Sequence, residues 1–242
     1  KRHGEVRERR NQLRHPVYSK PELLATGPNQ VWSWDITKVR GPSPGLFYHL
    51  YVMLDVFSRY VVGWVLAEYE SGAQAKALIS LCHERQGVGP NQLTVHSDRG
   101  KSRRSQEVLG LLADLQGRRS YSRPHVSNDN PYSEALFKTM KYLPVFPDRF
   151  VSLAHARQFL DEFVHAYNHH HRHTGIGMHT PADVHYGLAD AIDRDRDAAL
   201  DAARRAHPER FTAHRQTRPK ILDRDPAAWI NQPSTDEMQL AA

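Results

Sequence analysis

The rhythm of apolar and polar positions changes several times along the chain. Residues 31–40 (VWSWDITKVR) hold two tryptophans among β-branched residues and read as a strand. A strong turn follows, Gly41-Pro42-Ser43-Pro44-Gly45. Residues 47–56 are aromatic and β-branched, a second strand, and residues 60–68 (YVVGWVLAE) are a third. The short connections at 41–45 and 57–59 favour an antiparallel meander. The spacing then becomes helical. Residues 73–85 place Ala77, Leu78, Leu81 and Cys82 on one face, and Gly87 with Gly89-Pro90 stops that helix. Residues 93–96 form a short apolar strand that runs into Ser97-Asp98-Arg99-Gly100. Residues 106–115 read as a helix and 118–122 as a fifth short strand. Asn128-Asp129-Asn130-Pro131 is a helix-start signature, and 132–142 follow at helical period. A longer amphipathic helix covers 153–169. Thr180-Pro181-Ala182-Asp183 opens a short one, and 189–205 is polar, alanine-rich and helical. From Pro208 the chain is rich in Pro and Arg and reads as irregular.

Three strands in a meander, followed by helix–strand alternation and then helices, give a mixed α/β sheet with helices on both faces. That is the RNase H-like order, with five strands. The breaker Thr26-Gly27-Pro28-Asn29 separates a basic arm and linker, 1–27, from the main domain, 28–188; residues 189–242 form a helical and irregular C-terminal extension.

Charge adds a partner to this picture. The formal balance is +6, and residues 1–20 hold seven Lys or Arg against two Glu. An arm of this kind is either a solubilising tail or a strand laid along DNA phosphates. With 39% hydrophobic and 25% charged residues the chain reads as soluble and globular. It has no apolar run of about 18 residues, so no membrane span is expected. The single cysteine, Cys82, excludes an internal disulfide and any zinc site built on two thiolates. A cytoplasmic location fits. The chain opens on Lys1 rather than Met, and the expectation is a piece of a longer product.

Three carboxylates stand out. Asp35 lies among large apolar residues in the first strand, where a charge is costly without a partner. Asp98 follows the fourth strand at its carboxyl end, where ligand sites gather in sheets with parallel elements. Glu134 sits in the first turns of the helix opened by Pro131, and Lys138 and Lys141 share its face at i+4 and i+7. Each has a structural reading: a hydrogen-bonded strand Asp, a turn Asp, a helix-dipole partner in a solvated ion-pair face. As a set they can converge. Their hard oxygens suit two Mg²⁺ or Mn²⁺ ions. Two such ions about 4 Å apart clamp the attacking and leaving oxygens of an in-line phosphoryl displacement. Water as nucleophile gives nicking; a DNA 3′-hydroxyl gives joining.

The segments WSWDIT, HLYVMLDVFSRYVVGW, HSDRG, SRPHVSNDNPYSEALFKTMKY and YNHHHRHTGIGMHTPADVHYG together resemble the integrase-type catalytic core of DDE insertion-sequence transposases. That group shares its core with retroviral integrases. The likeness covers about residues 28–190, and the 35 residues between Asp98 and Glu134 match the group's spacing. It implies metal-dependent DNA cleavage and strand transfer by Asp35, Asp98 and Glu134. It also implies DNA contacts from Lys138 and Lys141, to which Arg99, Lys101 and Arg172 are added as candidates. A homo-oligomer that joins two element ends is expected with it. Asp55 in LDVFSR reads as structural, and Asp129 is a second candidate near the site. After Gly100 the family usually has small residues and a Thr or Ser, whereas this chain has Lys101-Ser102-Arg103-Arg104-Ser105. The helix-turn-helix expected at the family's N-terminus is not read here. Two other functions stay open: a nuclease of the same fold that cuts without joining, and a decayed element that only binds DNA.

Other motifs are plainer. His165, His169 and His173 share a face only if the helix at 153–169 continues, and the run reads as a polar helix end rather than a zinc site. Trp32, Trp34 and Trp64 read as packing residues. No P-loop is present.

Overall fold

The computed structural model describes residues 18–100, 105–124, 126, 129–211 and 226–234. A five-stranded sheet forms its centre. Its strands are β2 (Val31–Arg40), β3 (Phe47–Asp55), β4 (Val61–Ala67), β5 (Thr94–Ser97) and β6 (Arg118–Tyr121), and they lie in the order β4-β3-β2-β5-β6. The meander β2-β3-β4 is antiparallel, while β5 and β6 run parallel to β2. This is the mixed sheet that the strand and helix order implies.

Alternation along β2 decides what each face does. Trp32 and Trp34 are buried with residues of α1 (Gly72–Gln86) and α2 (Gln106–Asp114). Val39 is buried with residues of α3 (Pro131–Lys141) and α4 (Leu153–His169) on the other face. Ser33, Asp35 and Thr37 have the parity of Val39, so they point towards α3. The sheet therefore has helices on both faces, and each fully buried large side chain contributes roughly 1.5–3 kcal/mol.

The helices start where the sequence supplies a cap. Ser71 accepts from Gln74 N at α1, and Ser152 accepts from His155 N at α4. Thr180 and Asp183 form a reciprocal capping box on α5 (Pro181–His185). The α1 helix ends at Gly87, whose φ of 58° suits a residue without Cβ. Its buried face differs from the spacing-based one. Ala75, Leu78, Ile79 and Cys82 are inside, whereas Leu81 is 41% exposed and Ala77 faces solvent. Ala75 and Ile79 flank the shared line of Leu78 and Cys82 on one side, Ala77 and Leu81 on the other, and only the position of the sheet could choose between the two stripes.

Gly63 explains how α1 comes so close to β4. A Cβ there would lie 2.5 Å from Cys82 Sγ and 3.3 Å from Leu78 Cδ1. Gly63→Ala is therefore expected to destabilise the fold by about 1–3 kcal/mol in urea unfolding. Adding Cys82→Ala should recover part of that loss, because it removes the sulfur that the new methyl meets. Equal costs with and without Cys82 would contradict this packing. The same packing makes Cys82 a core residue, and burial pushes its thiol up to about 12.

A second, two-stranded sheet lies beyond the reach of local pattern. β1 (Leu23–Ala25) pairs antiparallel with β7 (Ala228–Ile230), with Leu23 opposite Ile230. Ala25, Ala228 and Ile230 join Val31, Val56, Phe57, Val184 and Ala189 in a third apolar cluster. Three-residue strands whose partner is some two hundred positions away leave no period to read. The α6 helix (Ala189–Ala206) precedes this return, with only Ala189 buried. Among the described residues no helix is long and apolar enough to cross a membrane.

Candidate active site

The parallel pairing of β2 with β5 runs from Val31↔Thr94 to Trp34↔Ser97. Asp35 and Asp98 are the residues that follow the last pair of this ladder in each chain segment. The α3 helix crosses the face to which Asp35 points. At its start, Ser33 Oγ bonds Asn130 Oδ1 and lies 2.6 Å from Ser133 Oγ; at its end, Lys141 Nζ donates to Thr37 Oγ1 at 2.6 Å. Asp35 lies between these two attachments. Glu134 follows Ser133 in the first turn of α3. Asp98 and Glu134 line one open pocket of about 410 Å³, together with Arg99, Ser122, Arg123, Pro124 and Val126.

Each carboxylate has its own surroundings. Asp98 Oδ1 accepts from Ser122 Oγ at 2.8 Å. Asp35 Oδ1 accepts from Ile36 N at 2.7 Å. Lys141 feels both burial, which lowers its ammonium below the usual value, and Asp35, which opposes that. So Lys141 leans back to β2 beside Asp35, and both Lys141 and Lys138 on the same helix face are exposed. The structure brings Asp98 and Glu134 to one pocket; Asp35 sits at the adjoining register, outside its lining. Among the described residues no three acidic, His or Cys side chains stand close enough to enclose a metal ion. The donor chemistry nonetheless fits a hard divalent cation, since carboxylates are its preferred ligands and two of them, Asp98 and Glu134, line one pocket.

Asp129 lies inside, not at the pocket. Its side chain is fully buried, and it receives Arg123 N and Nε on Oδ2 and Arg123 Nη2 and Asn231 Nδ2 on Oδ1. Burial works to raise this carboxyl, but the Arg123 and Asn231 donors outweigh it and hold the carboxyl below its usual range. The Asp129 carbonyl lies 2.8 Å from His96 Nε2, and His96 Nδ1 lies 3.0 Å from Ser120 Oγ. Burial depresses the His96 pKa, so the ring is neutral. It then donates from Nε2 to the carbonyl and accepts at Nδ1. Asp55 is likewise internal, binding Ser58 and Asn29, in keeping with a structural role.

Comparison with known proteins gives this geometry a lineage. Models of the integrase core domain match residues 25–127 and residues 116–181. The chain belongs to the integrase core family. It is 29% identical over 171 residues to the transposase for insertion sequence element IS904 of Lactococcus lactis subsp. lactis (strain IL1403), covering 68% of this chain and 66% of that one. It is also 29% identical over 161 residues to transposase InsF for insertion sequence IS3A of Escherichia coli (strain K12), covering 66% of this chain and 55% of the relative. The chain thus spans between about half and two thirds of the length of these curated relatives. Its fold is similar to a chain of the simian T-cell lymphotropic virus intasome, solved with the PP2A regulatory subunit B56 gamma. The TM-score is 0.53 at 20% identity, over 71% of this chain and 60% of that one.

Around this integrase core the other sequence candidates are scattered. Arg99 lines the pocket, donates from Nε to the Ser122 carbonyl at 3.0 Å, and lies 4.1 Å from the Tyr18 ring centroid. Lys101 lies outside the described residues. Arg172 follows α4, away from the pocket lining, and donates to the Met178 carbonyl at 3.2 Å. The pocket residues Ser122 and Arg123 had no part in the carboxylate pattern; their one signal was their place in the segment SRPHVSNDNPYSE.

The histidine run does not form one helical face. The α4 helix ends at His169, and His173 pairs instead with His179 across an isolated bridge. Burial, then the charges of His171 and Arg59, lowers the His173 pKa to about 4. A histidine depressed in the fold takes its proton in the unfolded chain first, so acid weakens the native state through it. Its penalty is absent above about 6.5 and grows as pH falls towards 4. Stability of His173→Gln is therefore expected to fall less steeply than wild type between these values, by up to one proton in the slope. Parallel slopes in urea titrations would contradict the burial of this ring.

Proposed function

We propose that this chain is the catalytic region of a DNA transposase that cuts DNA and joins a 3′-hydroxyl end to target DNA. Asp35, Asp98 and Glu134 would hold two Mg²⁺ or Mn²⁺ ions. Bound there, the ions supply Lewis-acid stabilisation of the attacking and leaving oxygens of the phosphoryl displacement. The observation that carries the reading is the meeting of β2, β5 and the first turn of α3, with Asp98 and Glu134 on one pocket and Asp35 at the next register.

The chain's own residues have distinct tasks. Ser122 orients Asp98 by donating to Oδ1. Arg99 and Arg123 give the pocket a cationic wall against a phosphate. Lys138 and Lys141 meet DNA along α3, and Lys101 and Arg172 extend the contact. The basic residues that precede β1 in the arm, 1–27, run along phosphates beside the core, 28–188, and residues 189–242 form the extension. Two element ends require a homo-oligomer in the active complex, and the site of action is the bacterial cytoplasm.

The test is a gel assay with a labelled 3′-hydroxyl DNA end, target DNA and Mn²⁺. Joined product is expected. Hydrolysed but never joined product would make the chain a nuclease of the same fold, and no product with retained DNA binding would make it a decayed copy.

A further inference from the structure

Asp129 stands between the two pocket carboxylates in the chain's own wiring. Its carbonyl is held by His96, two residues before Asp98, and it lies five residues before Glu134. Its carboxylate is held by Arg123, which lines the pocket. One donor of this carboxylate comes from far away. Asn231, one residue past β7, donates from Nδ2 to Asp129 Oδ1 at 2.8 Å and to the Pro21 carbonyl at 3.0 Å. The preceding residue but one completes the attachment, since Tyr132 Oη donates to the Trp229 carbonyl at 2.7 Å. Tyr132 is the second residue of α3, the helix that carries Glu134.

We propose that the C-terminal strand β7 with Asn231 is a positioning part of the active site, which fixes Glu134 relative to Asp98. The integrase core models end at 181, so this strand lies outside the matched region. Both hydrogens of the Asn231 amide are committed, one to the N-terminal segment before β1 and one to Asp129. Its backbone sits at φ 55°, a conformation that asparagine tolerates and that leaves the amide aimed inwards. The pair β1–β7 is thereby a strap. It is closed on itself by strand pairing and by Pro21, and tied to the site by Asp129 and Tyr132. Side chains that orient ligands in this way shift metal affinity or activity by about 10–100-fold when removed.

The inference rests on the metal-site reading, and the experiment separates the two. Mn²⁺ binding to the full chain is measured by calorimetry in wild type, Asn231→Gly and Asn231→Asp. Each protein is held at a temperature where circular dichroism shows it folded. Glycine keeps the positive φ but deletes the donor; aspartate keeps the shape but turns a carboxylate on Asp129. The expected result is Mn²⁺ affinity about 10-fold weaker or more in Asn231→Gly, and weaker again in Asn231→Asp. If wild type binds Mn²⁺ and both variants match it, the strap is merely structural and the inference falls alone. If wild type itself binds none, the metal-site reading falls, and the inference with it.

Discussion

Asp98→Asn is expected to reduce DNA strand joining by on the order of a thousandfold, with the thermal midpoint almost unchanged. The two effects separate because asparagine has the same shape. Its carbonyl oxygen can still accept from Ser122 Oγ, which at 2.8 Å is the bond that ties Asp98 to β6 and its following turn. What disappears is one negative charge facing the pocket shared with Glu134. A divalent ion loses several kcal/mol of stabilisation with a carboxylate ligand, and each 1.36 kcal/mol is tenfold in rate. Ser122→Ala, which removes only the orienting bond, should cost about 10–100-fold. If Asp98 were no more than a turn residue after β5, Asp98→Asn would join DNA at the wild-type rate.

Asp55→Ala is expected to cost about 3–5 kcal/mol of folding stability, the largest loss from any single polar side chain discussed. Asp55 is fully buried at the end of β3. Its Oδ1 accepts from Ser58 N and Ser58 Oγ, and its Oδ2 from Asn29 N, each at 2.7 Å. His185 Nδ1 lies 4.0 Å away, and that ring also bonds Ser58 Oγ and Gln86. The β1–β2 loop, the β3–β4 turn, the end of α1 and α5 therefore converge on one carboxylate. Burial raises its pKa, and the donors and His185 draw it back. Alanine would leave two buried N–H groups without acceptors, each costing about 1–3 kcal/mol. Urea unfolding measures this directly; a loss below about 1 kcal/mol would mean that water replaces the carboxylate.

Much of this was legible in the sequence, for physical reasons. The core strands are long enough for alternation to show, and β2 was read to its observed ends, Val31–Arg40. Helix-start signatures at Asn130-Pro131 and Thr180-Pro181 marked α3 and α5 before any packing was known. The carboxylates of β2, β5 and α3 were visible because a charge among Trp34 and Ile36, or directly after a strand, is conspicuous. Other features were hidden by distance. Whether Ala75 or Ala77 faces the sheet depends on where β4 lies, and Gly63 reveals that only through Cys82. The β1–β7 pairing and the Asn231–Asp129 bond join residues about a hundred or more positions apart, and neither end carries a periodic signal. Lys141 was read only as sharing a helix face with Glu134, and its bond to Thr37 beside Asp35 could not be seen across about a hundred residues.

A single metal site formed by Asp35, Asp98 and Glu134 underlies the proposed chemistry. Anomalous diffraction at the manganese edge, from crystals grown with Mn²⁺ and a DNA end, tests it most directly. Manganese peaks are expected within coordination distance, about 2.0–2.2 Å, of carboxylate oxygens from all three residues. Manganese bound elsewhere, or held by Asp98 and Glu134 with Asp35 still turned to Lys141, would contradict it.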